Sequence, residues 1–432
     1  MFYKLLILIL FTACFKNVSK KPLHSLCENI KESRTCPKGT GELFLPRTYP
    51  ARAIYIGYSS DEVHQNFLKE VIEKARSNEF TPMVNILIPR VDDDYAYNFF
   101  KTYFSNEAYH FINYIPTASD DTVWAQDYME ILFNPKTGFS RIVDLPYYGR
   151  EGENIPRAIA LACQKGLVEQ WEYTEENAPG NGDYGGNIEP ITTKILTVGN
   201  NLSNETFDIV QGLTKQVIVD VNVEWLETGH VDELISTLPL KKNASDCEQA
   251  LIIASPKLAY DLIEKSDEKL DTFGASFEPY YDEYNKWPDR QKCLLKKNQN
   301  LKTCKELKRA NLIYQKLIDQ SVDALIAQVK EQHSCELKIE KFPQLFVPLK
   351  NFKEYGSFED RAVSLNPNSV NNIFFYPNLM LAKQSFPVFQ TEVERILKKF
   401  NEFDIYYVNG KFVHELNGGI HCATNVAYAC SP

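Results

Sequence analysis

Four short stretches of this 432-residue chain concentrate polar, turn-forming and aromatic side chains. They are Trp124-Ala125-Gln126-Asp127-Tyr128-Met129-Glu130, Tyr184-Gly185-Gly186-Asn187-Ile188-Glu189, Trp225-Leu226-Glu227-Thr228-Gly229-His230-Val231-Asp232-Glu233 and Gly418-Gly419-Ile420-His421-Cys422-Ala423-Thr424-Asn425. On extended backbone, residues two apart point the same way, so His230 and Asp232 would project an imidazole and a carboxylate together. A lone histidine is more often packed or surface-exposed than catalytic. A His and Asp on one face, after a glycine that opens a strand, shift that balance. Cys422 is weighed in the same way. A free cysteine is usually a small buried hydrophobe, whereas a nucleophilic thiol needs positive or hydrogen-bonding surroundings to ionise. The polar turn around Cys422 would supply them, and a nearby imidazole would carry the proton. On the residues alone the leading reading is a Cys–His hydrolase, with its substrate open.

The elements that must position these groups alternate in type. Residues 53–58, 83–88 and 110–115 read as strands, and residues 61–77 and 95–104 between them have helical periodicity. Further strand-like runs lie near 142–143, 195–198, 217–219, 252–254, 373–376 and 405–408, with a helix over 392–400. Such alternation predicts an α/β fold. Neither GxGxxG nor GxxxxGK[ST] occurs, so a Rossmann or P-loop role loses its main support.

Charge and cysteine usage bound the partners. With 47 basic against 57 acidic residues the formal charge is −10, which argues against a general nucleic-acid binder and weakly favours a cationic substrate. Lys4 followed by an apolar run over residues 5–11 and Thr12-Ala13-Cys14 reads as a signal peptide over residues 1–14. The Ala13-Cys14 junction resembles a bacterial lipoprotein box, in which Cys14 would carry the lipid and tether the chain to a membrane. An exported, periplasmic or secreted chain is therefore expected, with residues 15–50 as a linker and 51–432 as the catalytic domain. Export makes disulfides possible, and short loops favour the local pairs Cys27–Cys36 and Cys293–Cys304. From Lys286 to Arg309 there are nine basic residues and two acids. That stretch reads as part of a solvated basic helical insertion around residues 268–334.

Taken together, WxQDxME, GGNIE, WLxxGHVDE and HCATNV resemble, in order and spacing, the catalytic domain of protein-arginine deiminases, within the guanidine-modifying (pentein) superfamily. The resemblance runs over residues 53–426. Agmatine deiminases share a GN, a GHxD and a C-terminal HC segment, but Met129-Glu130 and Trp225-Leu226 look more like the protein-arginine branch. The resemblance implies a five-bladed, pseudo-symmetric α/β propeller with the site in its central funnel. The immunoglobulin-like domains that precede the vertebrate catalytic domain are expected to be absent. It further implies that Asp127 and Asp232 hold a guanidinium, Trp124 packs on its face, Cys422 attacks its carbon and His230 protonates the departing ammonia. Citrulline would be the product. Arg150 is the nearest match to an arginine that grips peptide backbone, and Leu416 stands where the family has a second. One calcium ion is implied at Gln126, Glu130 and Glu189 with the carbonyls of Gly185 and Ile188, a donor set of the kind calcium takes. A second family calcium site looks lost, with Tyr128 in place of a carboxylate and Asp144 retained. The alternatives are hydrolysis of free arginine or agmatine, amidino transfer, and a non-catalytic arginine-binding protein of the cell envelope.

Overall fold

The computed structural model describes residues 27–29, 34–36, 41–77, 81–106, 109–119, 122–147, 154–169, 180–241, 244–266, 293, 296–349, 361–375, 378–400 and 403–430. The fold is mixed α/β, as the alternation predicts. Among these residues five sheets of three or four strands share one pattern. A middle strand pairs antiparallel with one neighbour and parallel with another. Ala51–Gly57 pairs antiparallel with Thr424–Tyr428 and parallel with Met83–Ile88. Phe139–Asp144 stands in the same way between Met129–Asn134 and Gly166–Val168. Ile195–Gly199 lies between Ile188–Thr192 and Val217–Val221. Gln249–Ser255 lies between Ile235–Pro239 and Lys338–Pro343, and Leu379–Lys383 between Ile373–Phe375 and Asp404–Val408.

A parallel pair needs a crossover, usually a helix, and that is where the amphipathic segments fall. Glu62–Ser77 follows Ala51–Gly57 and buries Phe67, Leu68, Val71, Ile72 and Ala75. Asn204–Leu213 is capped by Ser203, whose hydroxyl accepts from Thr206 N–H. The longest crossover contains Pro256–Lys265 and the 32-residue helix Lys302–His333. This corrects the reading of a solvated insertion. Lys302, Lys305 and Arg309 do face water, but the same helix buries Leu307, Ala310, Tyr314, Ile318, Val322, Leu325 and Val329. Its Tyr314 stacks on Trp225, with ring centroids 4.5 Å apart. Its basic, polar N-terminal turns had masked an apolar stripe that begins further on.

The segment before Ala51, expected to be a linker, is built into the fold. Leu43–Phe44 adds an edge strand to Met129–Asn134, and Leu45, Arg47, Thr48 and Tyr49 are buried. Disulfides Cys27–Cys163 and Cys36–Cys430 tie it down. The expected Cys27–Cys36 pair is therefore wrong. Closing a short loop is favourable in the unfolded chain, but the native fold brings each cysteine to a distant partner. Cys293–Cys304 does form, joined by Cys247–Cys335. Residues 1–26, with the expected signal and Cys14, lie outside the described residues. Among the described residues, no helix is long and apolar enough to cross a membrane.

Candidate active site

The five sheets deliver their chemistry from one recurring position, the turn just ahead of the strand that pairs antiparallel with the middle one. Asp127 precedes Met129–Asn134, Gly186-Asn187 precedes Ile188–Thr192, and Asp232 precedes Ile235–Pro239. Asn371 precedes Ile373–Phe375, and Cys422 precedes Thr424–Tyr428. Strand ends fixed by a ladder hold short turns rigidly, so five turns converge without long loops. His230 and Asp232 lie in a turn rather than a strand. His230 is extended, and Val231–Glu233 forms one 3-10 turn. Their side chains still converge. Ligand-capable atoms of His230, Asp232 and Cys422 lie within 4.8 Å of one another.

Cys422 is the one free cysteine among the described residues and is 4% exposed. Its thiol lies 3.4 Å from Asp232 Oδ2, and Asn371 Nδ2 donates to Sγ over 3.1 Å. Asn371 Oδ1 in turn accepts from the His421 backbone N–H at 2.9 Å. His421 Nδ1 bonds the same Asp232 oxygen at 2.8 Å. His230 Nε2 donates to the Asn181 carbonyl at 2.9 Å, which leaves Nδ1 facing inward, 4.0 Å from Asp127 Oδ1. Glycine is required beside it, because a Cβ on Gly186 would lie 2.5 Å from that nitrogen. Gly418 likewise admits the Trp124 ring, which a Cβ would meet at 2.1 Å. Trp124, Asp127, Tyr184, Leu416, Asn417 and Cys422 line a cavity of about 200 Å³.

The electrostatics favour a cation. Burial raises the Asp232 carboxyl, but the hydrogen bond from His421 and the nearby His421, His230 and Arg47 outweigh it, holding it below the ordinary range. Asp232 Oδ1 has no hydrogen-bond partner among the described residues. Burial pushes the Cys422 thiol well up, and Asp232, Asp127 and Glu233 push it further. The site thus holds a protonated thiol rather than the pre-activated one its turn suggests. Two more titratable groups flank it. Burial brings the Lys383 ammonium down to about 8, opposed by Cys422, Glu233 and Asp232. Burial and Asp232 bring the Glu233 carboxyl up to about 8.

The expected calcium donors are gathered in a second cluster, yet they do not fit the ion as they stand. Arg47, which nothing in the sequence singled out, spreads its guanidinium over both oxygens of Glu189, at 2.9 and 2.6 Å. Gln126 donates to Glu130, and the Gly185 carbonyl accepts from Ile188 N–H. The cavity left beside them is about 30 Å³. Tyr128 is fully buried against Tyr147, and Asp144 is buried nearby. Arg150 lies outside the described residues, and Leu416 is 52% exposed on the cavity rim. Asn371, Lys383, Glu233 and the role of His421 were missed. The repeated turn would have found Asn371, since four of its five members were already marked by motif.

Solved structures of similar fold include the C. jejuni agmatine deiminase with substrate bound (TM-score 0.54, 11% identity, covering 92% of this chain and 99% of that one). Another is the Enterococcus faecalis agmatine deiminase (TM-score 0.55, 12% identity, 92% and 100% covered). The fold is thus that of the pentein deiminases. The family model for protein-arginine deiminase matches residues 42–430, and the chain belongs to that family. Human protein-arginine deiminase type-1 is 27% identical over 333 residues, 70% of this chain and 45% of the relative. The human type-4 enzyme is 25% identical over 225 residues, 51% and 30% respectively. The chain spans less than half the length of these curated relatives.

Proposed function

We propose that this chain hydrolyses the guanidinium of arginine side chains in proteins or peptides to citrulline and ammonia. The observation that carries the reading is the buried Cys422 thiol in a cavity shared with Asp127, close against a second carboxylate, Asp232, whose Oδ1 lacks a donor among the described residues. A buried acceptor without a donor is costly, and a planar guanidinium supplies donors at fixed angles to carboxylates on either side. Trp124 on the cavity wall offers a π face to the same cation.

A bound guanidinium also answers the thiol's high pKa. Its positive charge offsets the two carboxylates that keep Sγ protonated, so the substrate itself favours thiolate formation. The Cys422 proton passes to the inward nitrogen of His230, and the thiolate adds to the guanidinium carbon. His230 returns the proton as one C–N bond breaks and ammonia departs, leaving a Cys422 thiouronium. Water, deprotonated by His230, adds to that carbon, and the C–S bond breaks to release citrulline and the thiol. Substrate cation and water become citrulline and ammonium, so charge and atoms balance. No step in this scheme passes through a metal.

Peptide rather than a small guanidine is supported by a second cavity of about 630 Å³ that shares Asn181, Glu227 and Thr228 with the first and carries the half-exposed Arg361. A free amino acid would leave it unused. The five sheets, alike in pairing pattern, fit a five-bladed propeller whose axis passes through the convergent turns. Four disulfides fit an oxidising compartment, and with residues 1–14 they support export and a lipid tether at Cys14. The test compares an arginine peptide, free arginine and agmatine as substrates, with Cys422→Ser as control. Citrulline from the peptide alone, lost in Cys422→Ser, is expected. Turnover of agmatine in preference to the peptide would overturn the substrate, and turnover by Cys422→Ser the mechanism.

A further inference from the structure

We propose that Arg47 is a built-in cation for the Glu130–Glu189 cluster, taking the place of a divalent metal and positioning the nucleophile through Asn371. The cluster is held together by charge, and the charge comes from the chain. Arg47 is 1% exposed. Its Nε and Nη2 form a two-pronged pair with the Glu189 carboxylate, and its Nη1 donates to the Asn372 carbonyl. A guanidinium is always charged and rarely buried unless paired and hydrogen-bonded, and here each of its three nitrogens has an acceptor.

Calcium takes six to eight oxygens at about 2.4 Å. Here Arg47 occupies both oxygens of Glu189, and the remaining cavity of about 30 Å³ has room for about a water molecule. A divalent ion would also face a fixed guanidinium in a buried site, where like charges repel with little screening. The space alone would admit an ion, but the paired carboxylate and the fixed guanidinium say that the seat is taken.

The position of Arg47 also gives it reach. It belongs to the segment between Leu43–Phe44 and Ala51–Gly57 and joins two of the convergent turns. On one side is Glu189, directly after Gly186-Asn187-Ile188. On the other is Asn372, beside Asn371, whose amide donates to Cys422 Sγ. Arg47 touches no reacting atom in this arrangement. It fixes the backbone that aims Asn371, and so acts as a positioning residue.

The test uses the full chain stripped with EGTA, titrated calorimetrically with calcium chloride alone, and the iodoacetamide labelling rate of Cys422, read by peptide mass at one fixed pH. The wild type is expected to give no saturable calcium heat and the same labelling rate in EGTA and in calcium. Arg47→Gln frees Glu189, so it is expected to gain a saturable calcium site. Its labelling rate should shift about tenfold in EGTA and return towards wild type when calcium is added. Arg47→Lys, which keeps a cation without the fork, is expected to shift less. A wild type that binds one calcium and changes its labelling rate with it would overturn the proposal. So would a folded Arg47→Gln that takes up no calcium and labels like wild type. Should Arg47→Gln fail to fold, the wild-type titration still decides. The proposal rests on the active-site reading only in taking Cys422 as reporter. Turnover is not measured, so a failed substrate assay and a failed calcium test remain distinguishable.

Discussion

Two buried charged clusters flank residues 124–130, and they satisfy their carboxylates in opposite ways. On one side Asp127 and the protonated Cys422 thiol line a cavity, and Asp232 lies against the thiol with its Oδ1 lacking a donor among the described residues. On the other, Glu189 is closed by a guanidinium from its own chain. The same chemistry, carboxylate against guanidinium, is complete in one cluster and left half-made in the other. The difference teaches where function sits. A completed pair adds stability and order, whereas an incomplete one stores an unmet demand that only a ligand fulfils.

The largest effects are expected where the demand is unmet. Asp232→Asn and Asp127→Asn each remove a carboxylate to which the proposed mechanism assigns the substrate cation, so kcat/KM for an arginine peptide should fall roughly 10³-fold or more. The same carboxylates hold the thiol pKa up, so labelling of Cys422 by iodoacetamide without substrate should become faster. Turnover and labelling thus move in opposite directions. If both fell together, the picture of a thiol awaiting the substrate's charge would be broken.

The closed cluster should respond in stability instead. Glu189→Gln leaves the Arg47 guanidinium buried with a neutral partner, and breaking one side of a buried pair costs about 3–5 kcal/mol. Replacing both residues by apolar ones of similar volume should recover most of that loss. Urea unfolding of the single and double variants makes the check. A double variant no more stable than Glu189→Gln would mean that the pair contributes through its hydrogen bonds to Asn372 rather than through charge balance.

Lys383 belongs to neither cluster but acts on the open one. Its ammonium donates to the Gly418 carbonyl at 2.6 Å and is the cation that Cys422 and Glu233 stabilise. Removing it in Lys383→Met should raise the thiol pKa further and slow labelling about tenfold near pH 7. Above about pH 8 Lys383 is itself neutral, so wild type and variant should converge. A constant ratio across that pH would assign the effect to lost packing.

How much of this could be read beforehand depended on the kind of signal. Asp127, His230, Asp232 and Cys422 sit in dense polar motifs, and the strands 83–88 and 195–198 are apolar runs, so local composition was enough. Arg47 lies in Leu45-Pro46-Arg47-Thr48, a loop with no periodicity, and its partner is 142 residues away. Lys383 ends the strand Leu379–Lys383 like any solvated terminal lysine, and it is buried by distant chain, with Gly410 against its stem and the Gly418 carbonyl at its ammonium. The disulfides failed for the same reason. Cys36 and Cys430 are 394 residues apart, and they meet only because the C-terminal strand returns to Ala51–Gly57. Tertiary proximity, not chemistry, was the missing variable.

The last effect depends on pH and concerns Glu233, on the border between catalysis and stability. Its carboxyl is up near 8 in the folded chain, against about 4.5 when exposed. Between those values the folded state keeps a proton that the unfolded state has released. Stability from this group is therefore greatest below about pH 4.5 and is lost as pH rises to about 8. Lys383 has the opposite sense. Its folded value near 8 is below its ordinary 10.5, so the unfolded chain holds the extra proton from pH 8 to 10.5 and stability recovers over that span. Together the two groups set a minimum near pH 8. Glu233→Gln can keep an acceptor for the His230 backbone N–H, and the Asn368 bond to its own carbonyl is untouched. It removes only the titration. The variant should therefore lose less stability than wild type between pH 5 and 8, by on the order of 4 kcal/mol, while the rise above pH 8 persists and begins earlier. Thermal melts across pH 5–10 measure this. Parallel wild-type and variant curves would mean that Glu233 ionises in the folded chain over its ordinary range, so that burial does not hold its proton.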